Sequence, residues 1–304
     1  MQQTWWVLVW WLSCGLMAAE PGLPTRGVLL IGIDGCRWDA VVAARTPHLD
    51  HLVAAGTLAV GTDIVAPRPT PADTVSGPGW SNILCGVWPD KHGVIDNRFH
   101  DAHYERYPHF FVRIKEVAPH IQTASFTNWE PLHSRLTRQA DHQLAESAQG
   151  ADQYRVSDRR LAEACARWLT TGNPQVVVLY QGQVDETGHR FGFHPDIPEY
   201  RDAIERVDDN VGLVLQAVQQ RREDWLVLVA TDHGGEGKGH GGGRNNDVIR
   251  KTFLIVSGPS AQRGTWKQAS SQVDVVRTAL HHLQIEPRQA WELDGHVVGL
   301  NSAR

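Results

Sequence analysis

Cysteine, methionine and tyrosine are scarce in this 304-residue chain, with four, two and five residues respectively. The cysteines at positions 14, 36, 85 and 165 are too few and too widely spaced to staple a small loop-rich scaffold. The fold must therefore rest on a hydrophobic core, which a chain of this length can build. Cys36 and Cys85 lie next to the segments singled out below, which leaves one bridge open. Positive charge is also short: 29 basic side chains face 34 acidic ones, for a formal net charge of −5, and no run of like charges occurs. That balance supplies no basic field for a nucleic-acid backbone, duplexes included. With 41% apolar and 21% charged residues the composition is that of a globular protein, neither disordered nor fibrous. What stands out by its abundance is histidine, at 16 residues.

No charged side chain precedes Glu20, and Trp5, Trp6, Trp10 and Trp11 concentrate in one short apolar run. The run is too short to span a bilayer, and the small residues Ala18 and Ala19 suit a peptidase, so residues 1–19 read as a signal peptide followed by one domain over 20–304. The protein is then exported, to the periplasm or the extracellular space, with lipid anchoring at Cys14 as the alternative. No transmembrane segment is expected after leader cleavage.

Residues 27–34 (GVLLIGID) form a continuous apolar run ending in an aspartate, the pattern of a strand buried on both faces of a parallel sheet. The pattern returns at 176–180 (VVVLY), running on to Asp185, and at 225–231 (WLVLVAT), running into Asp232 and His233. Three buried strands thus deliver acids at their C-terminal ends, the edge where open α/β sheets bind ligands. Between them, the spacing predicts a helix capped by Ser157 and ended by Gly172, and a second from Pro198 to about Arg221. A strand over 252–257 and a helix over 273–283 continue the alternation, and the Pro-rich stretch 66–71 reads as a loop. The expected architecture is one α/β domain.

Seven positions could form a two-metal site: Asp34, Ser76, Asp185, His189, Asp232, His233 and His240. Asp34 ends a strand between Gly32 and Gly35. Asp185 and His189 stand four apart in DETGH, within reach of one ion if the segment turns helically, with Gly188 pointing to a tight turn instead of a regular helix. Seven of the ten residues over 234–243 are glycine, which gives a loop the backbone freedom to wrap a site that Asp232, His233 and His240 would furnish with one oxygen and two imidazoles. Ser76 precedes a helix, where unpaired N–H groups favour an anionic oxygen or a phosphate; a plain N-cap is its bland alternative.

Taken in order, IGIDG, TPHLDHL, SGPGW with CGVWPDKHGV behind it, DETGH, TDHG and GHGG resemble the alkaline phosphatase superfamily, and within it the nucleotide pyrophosphatase/phosphodiesterase group, from about Gly27 to the C-terminus. The resemblance implies a three-layer sandwich with a mostly parallel central sheet flanked by helices. It also implies two zinc ions, one held by Asp34, Asp232 and His233 and the other by Asp185, His189 and His240, with Ser76 as nucleophile and ligand. Manganese or iron would suit the same mixed donors. Two departures matter: Gly79 stands where the group usually has an Asn, and Trp80 stands where sulfatases carry an Arg. The expected reaction is cleavage of phosphodiester or pyrophosphate bonds in a small nucleotide or lipid-headgroup substrate through a phosphoserine intermediate, faster at neutral or alkaline pH than in acid. Lys91, His92, Asn97 and His194 are placed near the substrate. The alternatives are hydrolysis of phosphomonoesters, phosphonates or sulfate esters, and a non-catalytic exported binding protein stabilised by metals.

Overall fold

The computed structural model describes residues 26–301, so the leader and Cys14 lie outside the described residues. Eight strands form one sheet: β1 (Arg26–Ile33), β2 (Thr57–Asp63), β3 (Thr123–Thr127), β4 (His142–Ala145), β5 (Val176–Gln181), β6 (Asp224–Ala230), β7 (Lys251–Ser257) and β8 (Gly264–Thr265). Their spatial order is β4-β3-β5-β1-β6-β7-β2-β8. All neighbours run parallel except β7, which is antiparallel to both β6 and β2. The mostly parallel sheet expected from the continuous apolar runs is present.

The helices are α1 (Trp38–Ala43), α2 (Pro47–Ala55), α3 (Ser76–Cys85), α4 (Pro89–His92), α5 (Phe110–Val117), α6 (Gly150–Thr171), α7 (Gln183–Phe191), α8 (Pro198–Gln219), α9 (Asp247–Arg250) and α10 (Asp274–His282). Alternation along β1 sorts them into two layers. Val28 and Leu30 point into a cluster with Trp80 and Ile83 of α3, Phe110 and Phe111 of α5, and Val276 and Leu280 of α10. Leu29, Ile31 and Ile33 point the other way, onto Leu49 of α2, Leu161 and Cys165 of α6, and Val207 and Val211 of α8. A strand with both faces covered cannot show polar alternation, which is why β1 reads as unbroken apolar sequence. Cys36 belongs to the second cluster and Cys85 to the first, on opposite faces of the sheet, so no bridge joins them; both are free and buried, as is Cys165.

Three local expectations are corrected. The helix expected to start at Ser157 begins seven residues earlier at Gly150, and Ser157 is buried in its interior with its hydroxyl unpartnered. The DETGH segment is a regular helix turn of α7, not a tight turn. Gly188 is required for a packing reason: a Cβ there would lie 2.3 Å from the Phe193 ring. Ser76 is the first residue of α3, and Val75 occupies the cap position. Among the described residues no helix is long and apolar enough to cross a membrane.

Candidate metal centre and nucleophile

The site forms because β5, β1 and β6 are adjacent and parallel, with Gly32 opposite both Tyr180 and Ala230. Their C-terminal ends therefore open side by side. Asp34 follows β1, Asp232 and His233 follow β6, and Asp185 sits in the first turn of α7 just after β5. The glycine-rich segment after β6 turns back to add His240, and α3 brings Ser76 from the other layer. All seven expected positions converge except for one qualification of degree: His189, on the outer turn of α7, is the most exposed of them.

Each carboxylate is anchored by one oxygen and leaves the other without a partner. Asp34 Oδ2 accepts from the Tyr180 hydroxyl (2.7 Å) and the Trp80 indole N–H (2.9 Å). Asp232 Oδ1 accepts from the Gly35 N–H at 3.1 Å. Asp185 Oδ2 lies 3.2 Å from His189 Nε2. Asp34 Oδ1, Asp232 Oδ2 and Asp185 Oδ1 are buried with no hydrogen bond, a costly condition for a carboxylate oxygen unless something else satisfies it.

The imidazoles share one arrangement. His233, His240 and His189 each direct Nδ1 at a backbone carbonyl, of Gly234 (2.9 Å), Thr74 (2.8 Å) and Lys238 (3.0 Å) respectively. A carbonyl only accepts, so Nδ1 donates and Nε2 turns inward, the orientation that fixes a metal-binding tautomer. His233 Nε2 stands 3.1 Å from Asp232 Oδ2, 3.6 Å from Asp34 Oδ1 and 3.4 Å from Ser76 Oγ. His240 Nε2 stands 3.1 Å from His189 Nε2 and 3.7 Å from Asp185 Oδ1. Asp34, Asp232 and His233 can present ligand atoms to one ion, and so can Asp185, His233 and His240, a group in which His233 stands where His189 was expected; His189 Nε2 lies beside it, 3.1 Å from His240 Nε2 and 3.2 Å from Asp185 Oδ2.

Without cations the cluster is electrostatically frustrated. Burial, and then the charge of Asp185, push Asp34 up to about 6. Burial with the charges of Asp34 and Asp185 pushes Asp232 well above the carboxylate range. The hydrogen bond to Asp185 holds His189 up at about 9, while burial presses His240 down to about 4. Three carboxylates this close repel, and a divalent ion between them removes both the repulsion and the unpartnered oxygens.

The nucleophile's surroundings answer the Gly79 departure. A Cβ on Gly79 would lie 2.8 Å from Asp232 Cβ, so no Asn fits there. An amide arrives from elsewhere: Asn97 Oδ1 accepts from the Gly77 N–H at 2.6 Å, beside Ser76. Of the four other polar residues expected near the substrate, Asn97 stands beside Ser76 through that bond, and the other three have partners of their own. Lys91 is bound to the Glu292 carbonyl and Asp294, His92 is buried against Asn82 and the Val94 N–H, and the His194 ring bonds its own loop at Asp196. The sequence reading missed Tyr180 and Trp80 as partners of Asp34, and Asp158, which accepts from the Gly182 and Gln183 N–H groups at the start of α7. A tyrosine at the end of a buried strand, in VVVLY, was the available signal for the first.

The sequence profile described as "Type I phosphodiesterase / nucleotide pyrophosphatase" matches residues 28–251. Ectonucleotide pyrophosphatase/phosphodiesterase family member 7 of Homo sapiens is 25% identical over 257 residues, covering 72% of this chain and 51% of that protein. The chain thus spans about half the length of the curated relatives it matches. Among solved structures, murine ectonucleotide pyrophosphatase/phosphodiesterase 5 superposes with a TM-score of 0.67 at 15% identity, over 86% of this chain and 96% of that one. A 2-O GAG sulfatase superposes with a TM-score of 0.71 at 13% identity, over 90% and 73%. These likenesses give the fold, an alkaline-phosphatase-like sandwich. With three quarters of its length matched by that one profile, the chain belongs to the type I phosphodiesterase / nucleotide pyrophosphatase family.

Proposed function

We propose that the protein is an exported, metal-dependent hydrolase of phosphodiester or pyrophosphate bonds, acting on a small nucleotide or lipid-headgroup substrate through a phosphoserine at Ser76. One observation carries the reading: three unpartnered buried carboxylate oxygens and three inward Nε2 atoms meet within reach of a serine hydroxyl at a helix start. Two zinc ions, one at Asp34, Asp232, His233 and Ser76 and the other at Asp185, His189 and His240, would supply Lewis acidity that offsets phosphoryl charge and eases ionisation of the serine hydroxyl.

The chain's own groups do the rest. Ser76 Oγ gives up its proton to water and attacks phosphorus in line; the Oγ–P bond forms as the bond to the leaving oxygen breaks, and that oxygen takes up a proton from water in turn. Water then attacks the phosphoserine, releasing a phosphate monoester and restoring the hydroxyl. In the first turn of α3 the Gly77 N–H is held by Asn97, Pro78 has none and the Gly79 N–H bonds the Val75 carbonyl, so the Ser76 N–H is the backbone donor left for a phosphoryl oxygen. Trp80, whose N–H is committed to Asp34, brings no cation to the place where sulfatases use an Arg, which favours phosphate diesters over sulfates and dianionic monoesters. The test is a rate comparison of zinc-loaded protein on chromogenic phosphodiester, phosphomonoester, phosphonate and sulfate esters. A diester preference that falls at least a thousandfold in Ser76→Ala, with zinc retained, is expected; a Ser76→Ala variant at wild-type rate removes the serine from the mechanism.

A further inference from the structure

In a chain whose net charge is −5, four arginines gather around one cavity that the metal centre does not use. Arg155, Arg159 and Arg160 lie on one face of α6, and Arg206 and Asp209 lie on one face of α8. The two faces enclose a cavity of about 360 Å³, and the start of α7 adds Gln183 to its lining. Two of the cations are paired along their own helices: Arg159 Nε with Glu163 Oε1 at 2.8 Å, and Arg206 Nη2 with Asp202 Oδ2 at 3.6 Å. Arg155 and Arg160 are exposed and enter no ion pair among the described residues. Asp209 is the one acid on the lining, so the cavity keeps a positive excess.

Gln183 supplies the second observation. It is only 3% exposed, its N–H is given to Asp158 Oδ2 (2.8 Å) and its carbonyl accepts from the Thr187 hydroxyl (2.7 Å), yet its Oε1 is buried with no partner. An unpaired buried acceptor is costly, and it asks for an N–H or O–H. Gln183 and Asp185 stand two residues apart, about 200° around a helix, so the amide serves this cavity while the carboxylate serves the metal cluster.

A ligand for this cavity must answer two demands at once. Guanidinium groups only donate, and their planar forks suit the oxygens of an oxyanion. The Gln183 oxygen and the Asp209 carboxylate only accept, so the same oxyanion must carry a proton. Hydrogen phosphate meets both demands at neutral and mildly alkaline pH. Sulfate has the same shape and charge but no proton to give, and a phosphate monoester has lost its own by then, its second pKa lying at about 6.

We propose that the cavity between α6 and α8 is a binding site for inorganic hydrogen phosphate, with Arg155 and Arg160 holding its charge and Gln183 Oε1 accepting from its P–OH. Nothing in this site depends on the role of Ser76, and it stands whether or not the metal centre hydrolyses esters. 

The test is calorimetric titration of the zinc-loaded protein at pH 8 with phosphate, methyl phosphate and sulfate, on wild type, Arg155→Ala/Arg160→Ala and Gln183→Met. Any anion held by the zinc ions binds wild type and the arginine variant alike, so the binding that the arginine variant loses belongs to this cavity. That component is expected to weaken about tenfold or more for phosphate in the arginine variant and in Gln183→Met. Within wild type it is expected to favour phosphate over methyl phosphate and sulfate by about tenfold, a preference that Gln183→Met abolishes. The two arginines are exposed, so their variant keeps a cooperative thermal melt, and the comparison of three anions on wild type needs no substitution at all. Identical phosphate isotherms in wild type and the arginine variant would overturn the site; an arginine-dependent component that binds the three anions equally would overturn its assignment to hydrogen phosphate.

Discussion

Replacing Tyr180 by Phe tests how the Asp34 carboxylate is held ready for a cation. The substitution removes one oxygen and keeps the ring, which packs edge-on against Trp80 (5.3 Å between centroids) and lies 6.4 Å from Trp129. No cavity larger than a hydroxyl is created, so the effect is confined to the lost 2.7 Å bond to Asp34 Oδ2, leaving the Trp80 N–H at 2.9 Å as the remaining donor. A hydrogen bond to a charged group contributes about 1.5–3 kcal/mol. Both bonds favour the ionised carboxyl, which burial and Asp185 already push up to about 6; with one removed it rises further and holds a proton at pH 7. Zinc must then displace that proton, so its affinity for the Asp34, Asp232 and His233 group should fall about tenfold at pH 7. The sign of the pH dependence follows: raising the pH ionises the carboxyl in variant and wild type alike, so the deficit should shrink by pH 9. Chelator-competition titrations at both pH values, resolving the two ions, make the measurement. Unchanged affinity at pH 7, equal weakening of both sites, or a deficit undiminished at pH 9 would refute the reasoning.

Gly79→Ala drives a methyl to 2.8 Å from Asp232 Cβ and 2.9 Å from its carbonyl oxygen, so α3 must move off the end of β6. Overpacking of this kind costs about 1–3 kcal/mol, and a melting temperature lower by roughly 3–8 °C in calorimetry, with turnover reduced at least tenfold, is expected; an unshifted melt contradicts the packing. A separate outcome concerns acid stability. His109 is buried with Nδ1 accepting from the Phe111 N–H and Nε2 unpartnered, and burial pushes it down to about 3. The unfolded chain gains a proton there below about pH 6.5 while the folded one does not, so stability present above that pH is lost as the pH falls. Denaturant titrations in EDTA between pH 6 and 4 should show His109→Asn flattening the decline by about 1.4 kcal/mol per pH unit, even though the variant starts less stable at pH 7. An identical slope in the two proteins rules out His109 as a contributor.

The strand ends that converge on the site were legible because complete burial makes β1, β5 and β6 continuous apolar runs, each with an acid within four residues beyond its end. β2, β3 and β4 left no such mark. Val60 in β2 is half exposed and the strand breaks register between Val60 and Thr62, while TASFT and HQLA contain one large apolar residue each. The start of α6 was obscured by the polar opening GADQYR, in which only Ala151 and Tyr154 face inward. Glycine was the least reliable guide. At Gly79 and Gly188 its absence of a side chain serves close packing against Asp232 and Phe193, which no local pattern reveals, and the amide that Gly79 lacks is supplied across the fold by Asn97.

The placement of β1 also dictates when the site can come into being during folding. Its two neighbours, β5 and β6, begin at Val176 and Asp224, so the strand that carries Asp34 stays unpaired on both edges until more than half of the chain has been made and threaded beside it. Pairings this distant in sequence are slow to form because loop closure precedes the contacts that reward it. His233 and His240 follow β6 in the chain, so the cation-binding cluster is complete only once β6 has docked beside β1. A cation held there would tie together segments that lie as far apart in sequence as Asp34 and His240.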